Sequence, residues 1–363
     1  MSQLSIRNSR KNVISNTMFV NMKKLDMLCI GESLRDVFYI IHEASVSCSI
    51  NKDRCLLCLE YAEKIPIKEV VKTPAAGNAA NAAVCSRRLG LSSSIISWVG
   101  NDSAGRELKA TLIKEGVHVS NLCAYSKQFT SEATILSFQG ERTQLIYFKP
   151  RNYKLPKMPA ARCIYYSAMG NKFKNFDNAL LKHLRANPET IFSFQPGTTH
   201  IRAGLNHLKP LIARSHIFVL NKTEAIMLLG GEDRTMENLL DGFMHLGANI
   251  VAITDGVNGA YAFDGAAYWH MPIYDGQAKE RTGAGDAFAA SFTCAILKKL
   301  DLQEALRWGT ANAWSVVNEI GPQKGLLTQQ KLTAIVKKFS HIKPVKINGA
   351  INKKTGSQPV KKL

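Results

Sequence analysis

Between residues 27 and 256 the chain alternates short, continuously apolar runs with segments of helical spacing. That rhythm constrains the fold more than any other feature. The runs MLCIGE (27–32), SIISWVG (94–100), CIYYSAMG (163–170), IFSFQPG (191–197), HIFVLN (216–221) and NIVAITDG (249–256) read as buried strands. Between them 78–90, 104–116, 176–186, 223–230 and 236–247 show helical spacing, several ending at a glycine cap. Strand and helix in this order predict an α/β fold: a three-layer, doubly wound, mainly parallel sheet with helices on both faces. Residues 37–74 and 130–150 break the rhythm with alternating patterns, and Gly140 and Glu141 fall at an expected hairpin turn. These two segments predict a small β-sheet lid. From Ala284 to about Ser340 the chain reads as mostly helical. Ligands of such folds sit at the carboxyl ends of the strands. Asp36, Gly77, Asn101, Gly197, Asn221 and Asp255 all follow a strand or start a helix, and so point to one rim.

The 363 residues are enough for one large α/β domain, and no apolar run approaches the roughly 18 residues that span a bilayer. The net charge of +19 looks at first like a nucleic-acid signal. Residues 1–24 contribute +5 and residues 343–363 contribute +6, leaving +8 for 25–342. The expected organisation is therefore one domain over 25–342 between two disordered basic tails, 1–24 and 343–363. Phe19 is the only aromatic in either tail, so stacking on nucleic acid is not expected. The first tail faintly resembles a transit peptide, but Met22 opens the strand-like sequence, and an upstream extension or misassigned start fits equally well. With no secretory h-region, the expected location is cytoplasmic and the default for the eight cysteines is reduced thiols. Cys48, Cys55 and Cys58 are the exception. They would bind zinc given a fourth ligand, or form a redox pair, or simply flank a half-buried turn at Leu56 and Leu57.

The stretch ERTGAGDAFAASF (280–292) carries the chemistry. Small residues before a helix leave the first amides free to hold an anion, phosphate above all. An acid there, Asp286, would repel phosphate unless it has work to do. As a base it would take the proton from a hydroxyl that attacks a γ-phosphate, while the amides of Gly283, Ala284 and Gly285 hold the phosphoryl oxygens. The simpler alternative is a helix cap by Asp286 or Thr282. No G-x-x-x-x-G-K-[ST] loop occurs, and no complete G-x-G-x-x-G with a following acid at dinucleotide spacing.

RTGAGDAFAASF resembles the C-terminal motif of the ribokinase-like (PfkB) carbohydrate kinases, D-T-x-G-A-G-D-x-F. AAGNAANAAVCSRRLG is similar to the N-terminal motif, followed at family spacing by SWVGNDSAGRELKATLIKEGV. GESLRDVFYI resembles the opening strand with its substrate aspartate, LNKTEAIMLLG the N-x-x-E motif, and ITDGVNGAYAF the T-x-G-x-x-G turn. The resemblance implies Asp286 as base with Gly283, Ala284 and Gly285 as anion hole. It implies Asp36, Gly77, Asn78 and Asn81 on the sugar, with Glu141 near an acid that seats the substrate from the lid. Asn221 would meet the nucleotide phosphates, Glu224 would act on Mg²⁺ through water, and Thr254, Gly256 and Gly259 would line the ATP pocket. Many relatives bind a monovalent cation, K⁺ in particular; Glu280 and Thr282, with backbone from Val316, Glu319, Gly321 and Gly325, would supply that site. Departures from the pattern are Ala76 for the first glycine of a pair, Glu280 for an aspartate, and Leu34 where ribose-selective members carry a polar residue.

The leading expectation is an ATP-dependent kinase acting on a hydroxyl of ribose, fructose or a ribonucleoside such as adenosine. A sugar-phosphate acceptor would need cations at the pocket. Lys149 and Arg151 are candidates, though their expected role is surface charge. The competing class is a non-catalytic relative serving as a binding or regulatory partner, against which the retained Asp286 loop and N-x-x-E motif argue. Exposed lid edges would suit a homodimer.

Overall fold

The computed structural model describes residues 24–49, 55–231, 234–276 and 278–347. Strand β1 (Leu25–Ile30) leads into β2 (Leu34–Ile41), the hairpin β3 (Ser45–Cys48) and β4 (Cys55–Cys58), and β5 (Ile67–Ala76). Then come α1 (Asn78–Arg88), β6 (Ser93–Gly100), α2 (Ser103–Lys114), β7 (Leu122–Tyr125) and the hairpin β8 (Ser131–Phe138) and β9 (Glu141–Tyr147). The second half alternates: β10 (Ala161–Tyr166), α3 (Lys174–Ala186), β11 (Ile191–Phe194), α4 (Thr198–Ala203), α5 (Leu205–Arg214), β12 (Ile217–Asn221), α6 (Lys222–Leu229), α7 (Met236–His245) and β13 (Ile250–Thr254). Antiparallel β14 (Ala260–Phe263) and β15 (Tyr268–Met271) follow, then α8 (Ala284–Leu297), α9 (Leu302–Val317), α10 (Gln329–Lys338) and β16 (Val345–Ile347).

The large sheet runs in the order β16-β15-β14-β13-β12-β11-β10-β1-β6-β7. From β7 to β13 all neighbours are parallel. The reason is visible in β1. Met27 and Cys29 pack with the α1, α8 and α9 side chains, while Leu28 and Ile30 pack with those of α3, α5 and α7 on the other face. A strand covered on both faces must be apolar at every position, so the central runs read as continuous and not alternating. The lid is the reverse case. Its sheet has the order β5-β2-β8-β9, β8 alternates buried and half-buried residues, and β9 is exposed throughout.

After β1 the chain turns one way to β6 and later the other way to β10. That reversal is the switch point where a crevice opens outside the strand ends, and the lid departs from the same place. Two expectations need correction here. Residues 345–347, expected in an unstructured tail, pair antiparallel with β15, because an edge strand offers free backbone groups to any segment that reaches it. The tail residues 348–363 and most of 1–24 lie outside the described residues. The cysteine readings also change. Cys48 and Cys55 stand directly opposite across β3 and β4 and form a disulfide, leaving Cys58 free opposite Ser45. Two of the three thiolates of a zinc site are thereby consumed, and the C-x-x-C pair is not the bonded one.

Gly259 closes the turn into β14 at φ +89, and a Cβ there would lie 2.2 Å from the Met271 carbonyl oxygen. Gly256, at φ +53, has open space around it. Gly259→Ala is therefore expected to lower unfolding stability by about 2 kcal/mol or more, and Gly256→Ala by about 1 kcal/mol, in urea titrations of the two variants.

Candidate active site

A cavity of about 830 Å³ occupies the crevice between the strand ends and the lid. Asp36, Gly77, Asn78 and Asn81 line one part, Thr282, Gly283, Gly285 and Asp286 another, and Asn221, Glu224 and Thr254 a third. A second, adjoining cavity of about 450 Å³ shares Asn221, Glu224 and Thr254 and adds Lys222, Asp255 and Gly256.

Asp286 sits in the first turn of α8, whose N-cap is Gly283 with no side-chain cap. The capping alternative is thus not the one adopted. Gly283 holds the left-handed φ of +83 against Pro322, 2.4 Å from where a Cβ would stand, so no other residue fits this bend. Asn78 Nδ2 donates to Asp286 Oδ1 and Asn81 Nδ2 to Oδ2, each at 2.8 Å, and Gln195 Nε2 donates to Oδ1 at 3.2 Å. Amide orientations are fixed by second partners. Gln323 Nε2 donates to Asn81 Oδ1 at 3.1 Å, and the Tyr165 hydroxyl donates to Gln195 Oε1. Burial raises the Asp286 carboxyl above its ordinary range, opposed by these amides and by the Arg142 charge. Such a carboxylate is a stronger base than one in water.

Asp36 lies in β2 beside the cavity and is 5% exposed. Burial foremost, then the charges of Asp286 and Glu280, push its carboxyl up to about 8, with Arg142 acting the other way. Glu32, just after β1, is pushed up to about 7 by burial. It accepts a hydrogen bond from the Tyr153 hydroxyl, and the Arg151 guanidinium stands 3.9 Å away. Arg151 is therefore fully enclosed, and not the surface charge its sequence context suggests; it also donates to Gln128 Oε1 and the Phe129 carbonyl. Lys149 lies over the Phe129 and Tyr147 rings.

Asn221 and Glu224 form a capping box at α6: Glu224 N donates to Asn221 Oδ1 at 2.9 Å and Asn221 N to Glu224 Oε2 at 3.0 Å. The structural role and the place in the cavity coexist. Ala284 opens α8 but is not in the cavity wall, and Gly259 serves its turn. Glu141 is not brought into the cavity. The hairpin turn centres on Gln139 and Gly140, both at positive φ, so Glu141 is the first residue of β9. Alternation then gives Arg142, Gln144 and Ile146 to the cavity, while Glu141 pairs with Arg281 at 3.0 Å. Arg142, Gln195 and Glu32 are functional candidates that sequence reasoning missed; Gln195 directly follows β11 and Glu32 lies two residues after β1, which was the available signal.

Of the expected cation ligands, Glu280 is 1% exposed, with Oε1 accepting from Thr282 N and Oγ1 at 2.8 and 2.6 Å. Its Oε2 is buried without a hydrogen-bond partner, which fits a cation neighbour. Gly325 packs within 2.5 Å of the Ser315–Val316 backbone, measured from an added Cβ, and Gly321 approaches Thr73. The Glu319 side chain instead turns to Lys324 at 2.9 Å. Among the described residues no helix is long and apolar enough to cross a membrane.

The family model described as pfkB family carbohydrate kinase matches residues 40–329. The chain is 24% identical over 302 residues to a 5-dehydro-2-deoxygluconokinase of Lacticaseibacillus casei, covering 78% of this chain and 92% of that one. It is 25% identical over 317 residues to a nucleoside kinase of Methanothermobacter thermautotrophicus, covering 83% and 92%. The fold is similar to that of an Arabidopsis thaliana ribokinase complexed with ribose and ATP, with a TM-score of 0.71 at 19% identity, over 87% of this chain and 99% of that one. The chain belongs to the pfkB family of carbohydrate kinases, and is a sugar or nucleoside kinase of the ribokinase type.

Proposed function

We propose that the protein transfers the γ-phosphoryl group of ATP to a hydroxyl of a sugar or ribonucleoside, with Asp286 as the base. One observation carries this reading. The Asp286 carboxylate stands at an uncapped helix N-terminus, between a wall bearing Asp36, Asn78 and Asn81 and a wall bearing Asn221, Glu224 and Thr254. Asp36, Asn78 and Asn81 orient the acceptor, so that its reactive hydroxyl meets Asp286. The carboxylate takes the proton as the hydroxyl oxygen attacks phosphorus. The amides of Gly283, Ala284 and Gly285 hold the transferring oxygens, where negative charge collects. Glu224 would hold the water shell of a Mg²⁺ ion brought with the nucleotide, and that ion would supply neutralisation of phosphate charge. Glu280 and Thr282 fit a monovalent cation, K⁺, that would further offset charge behind the anion loop. The exposed strand β9 at the lid edge suits pairing of two chains.

Removing the base while keeping the shape tests the mechanism. Asp286→Asn is expected to lower kcat for acceptor-dependent ADP release by about 10³-fold, with ATP affinity nearly unchanged. Unaltered turnover would remove Asp286 from the chemistry. Asp36 supplies a second test through pH. Its folded pKa of about 8 lies above the unfolded value, so the folded form binds the extra proton and stability drains away as pH rises from about 4 to 8. Asp36→Asn should abolish this loss, raising stability at pH 8 by a few kcal/mol while weakening acceptor binding. Denaturant titrations at pH 5 and pH 8 would check it: the gain must grow with pH.

A further inference from the structure

We propose that the phosphate acceptor carries an anionic group, a phosphate or a carboxylate, received by Arg202 and Arg142; this rests on the kinase reading above. Both guanidinium-bearing residues line the main cavity, Arg142 from β9 of the lid and Arg202 from α4. Neither has a carboxylate within ion-pair distance among the described residues. The arginines elsewhere are mostly engaged: Arg35 with Glu132, Arg88 with Glu115, Arg162 with Asp26, and Arg214 with the carbonyls of its neighbouring turn. The cavity's own acids do not answer the two charges. Glu32 is taken by Tyr153 and faces Arg151, Asp286 by its three amides, and Glu224 by the Asn221 cap. Asp36 feels Arg142 but makes no ion pair with it.

Arg202 is held on the acceptor side. Thr199 Oγ1, in the same short helix, donates to the Met169 carbonyl at 2.5 Å. The neighbouring Ala168 carbonyl accepts from Glu32 N at 2.8 Å, which fastens this wall to the end of β1. His200 anchors the helix from below. Its Nδ1 accepts from Gly197 N at 3.2 Å, so its Nε2 carries the proton and donates to the Tyr166 hydroxyl, which in turn donates to Asp177. Burial holds the His200 ring neutral, down to about 3, and that tautomer survives across the working pH range. A rigid wall presenting an unpaired guanidinium, with a second one above it on the lid, matches the forked geometry of a carboxylate or phosphate. A neutral sugar has no use for two such groups. Asn171 and Thr198 on the same wall add neutral hydrogen-bonding groups.

The test compares acceptors in matched sets: fructose with fructose 1-phosphate and fructose 6-phosphate, glucose with gluconate, and adenosine as a neutral control. ADP release is measured for wild type, Arg202→Gln and Arg142→Gln, and binding of each acceptor to Asp286→Asn by calorimetry. The expected result is an anionic acceptor favoured over its neutral counterpart by about 100-fold in kcat/KM, a preference cut at least about tenfold in each arginine variant. The phosphate and carboxylate arms identify which anion is meant. Neutral acceptors equal to or better than the anionic ones would overturn the proposal. So would an Arg202→Gln variant in which only the KM for ATP rises, which would assign the residue to nucleotide phosphates. The two readings fail separately. Absence of any Asp286-dependent ADP release defeats the kinase mechanism, while calorimetry with and without Arg202→Gln in the Asp286→Asn protein still decides whether anions are preferred.

Discussion

A carboxylate held at the free end of a buried helix sets the terms for the rest of this structure. The end of α8 attracts anions, and Asp286 satisfies part of that attraction within the chain. It remains usable because three side-chain amides hold its oxygens, from Asn78, Asn81 and Gln195. Those amides come from α1 and from the end of β11, more than 90 residues away in sequence. Bringing α1 close enough requires a helix almost without side chains on its inner face. Ala79, Ala80, Ala82 and Ala83 are all fully buried, opposite Ala287, Ala289 and Ala290 of α8. Small residues on both helices let the backbones approach, and the approach delivers the two asparagines to the acid. The alanine-rich run thus shapes the candidate site through the spacing of the two helices.

The sheet was legible in the sequence because its physics is repetitive. Every central strand is covered on both faces, so each appears as a continuous apolar run, and the helices between them carry ordinary periodicity. The rim was legible for the same reason, since strand ends are easy to mark. What escaped depended on registers and partners. Placing the lid turn one residue too late, at Gly140–Glu141 and not Gln139–Gly140, moves every β9 side chain to the other face. The expected substrate role of Glu141 came from the family resemblance; in the structure Glu141 pairs with Arg281, and Arg142 takes the cavity side. The disulfide of Cys48 and Cys55 escaped too. It follows from cross-strand pairing in a hairpin, whereas C-x-x-C spacing draws attention to Cys55 and Cys58.

Arg151 shows the opposite error, in which composition misled. In FKPRN it looks like surface charge, yet it is enclosed with Glu32 and Tyr153 where the lid joins the body. Burying a lone guanidinium would be prohibitive, and burying it beside a lone carboxylate hardly better. Here the cost is spread: Arg151 also donates to Gln128 and Phe129 in the approach to β8, and Ser131 Oγ, at the start of β8, lies 3.5 Å from Glu32 and accepts from Lys149 N at 3.1 Å. The cluster therefore ties both ends of the lid hairpin to Glu32, two residues after β1. A polar knot of this kind defines one geometry, because any displacement strands a buried charge.

β2 is a member of the lid sheet, pairing with β5 and β8, and Asp36 lies two residues into it, so this cavity-lining acid is held by the lid's own backbone pairing. Arg142 lies at the far end of the hairpin, beyond the knot. The charge of Asp286 helps raise the Asp36 carboxyl, and Arg142, reaching the cavity from β9, opposes that rise without pairing with it. In a low-dielectric cavity such charges act strongly on one another, so the position of β9 sets the charge balance at the cavity floor. Burial is the first cause of both raised carboxyls, so the packing that encloses the cavity also sets the protonation of the two acids that line it.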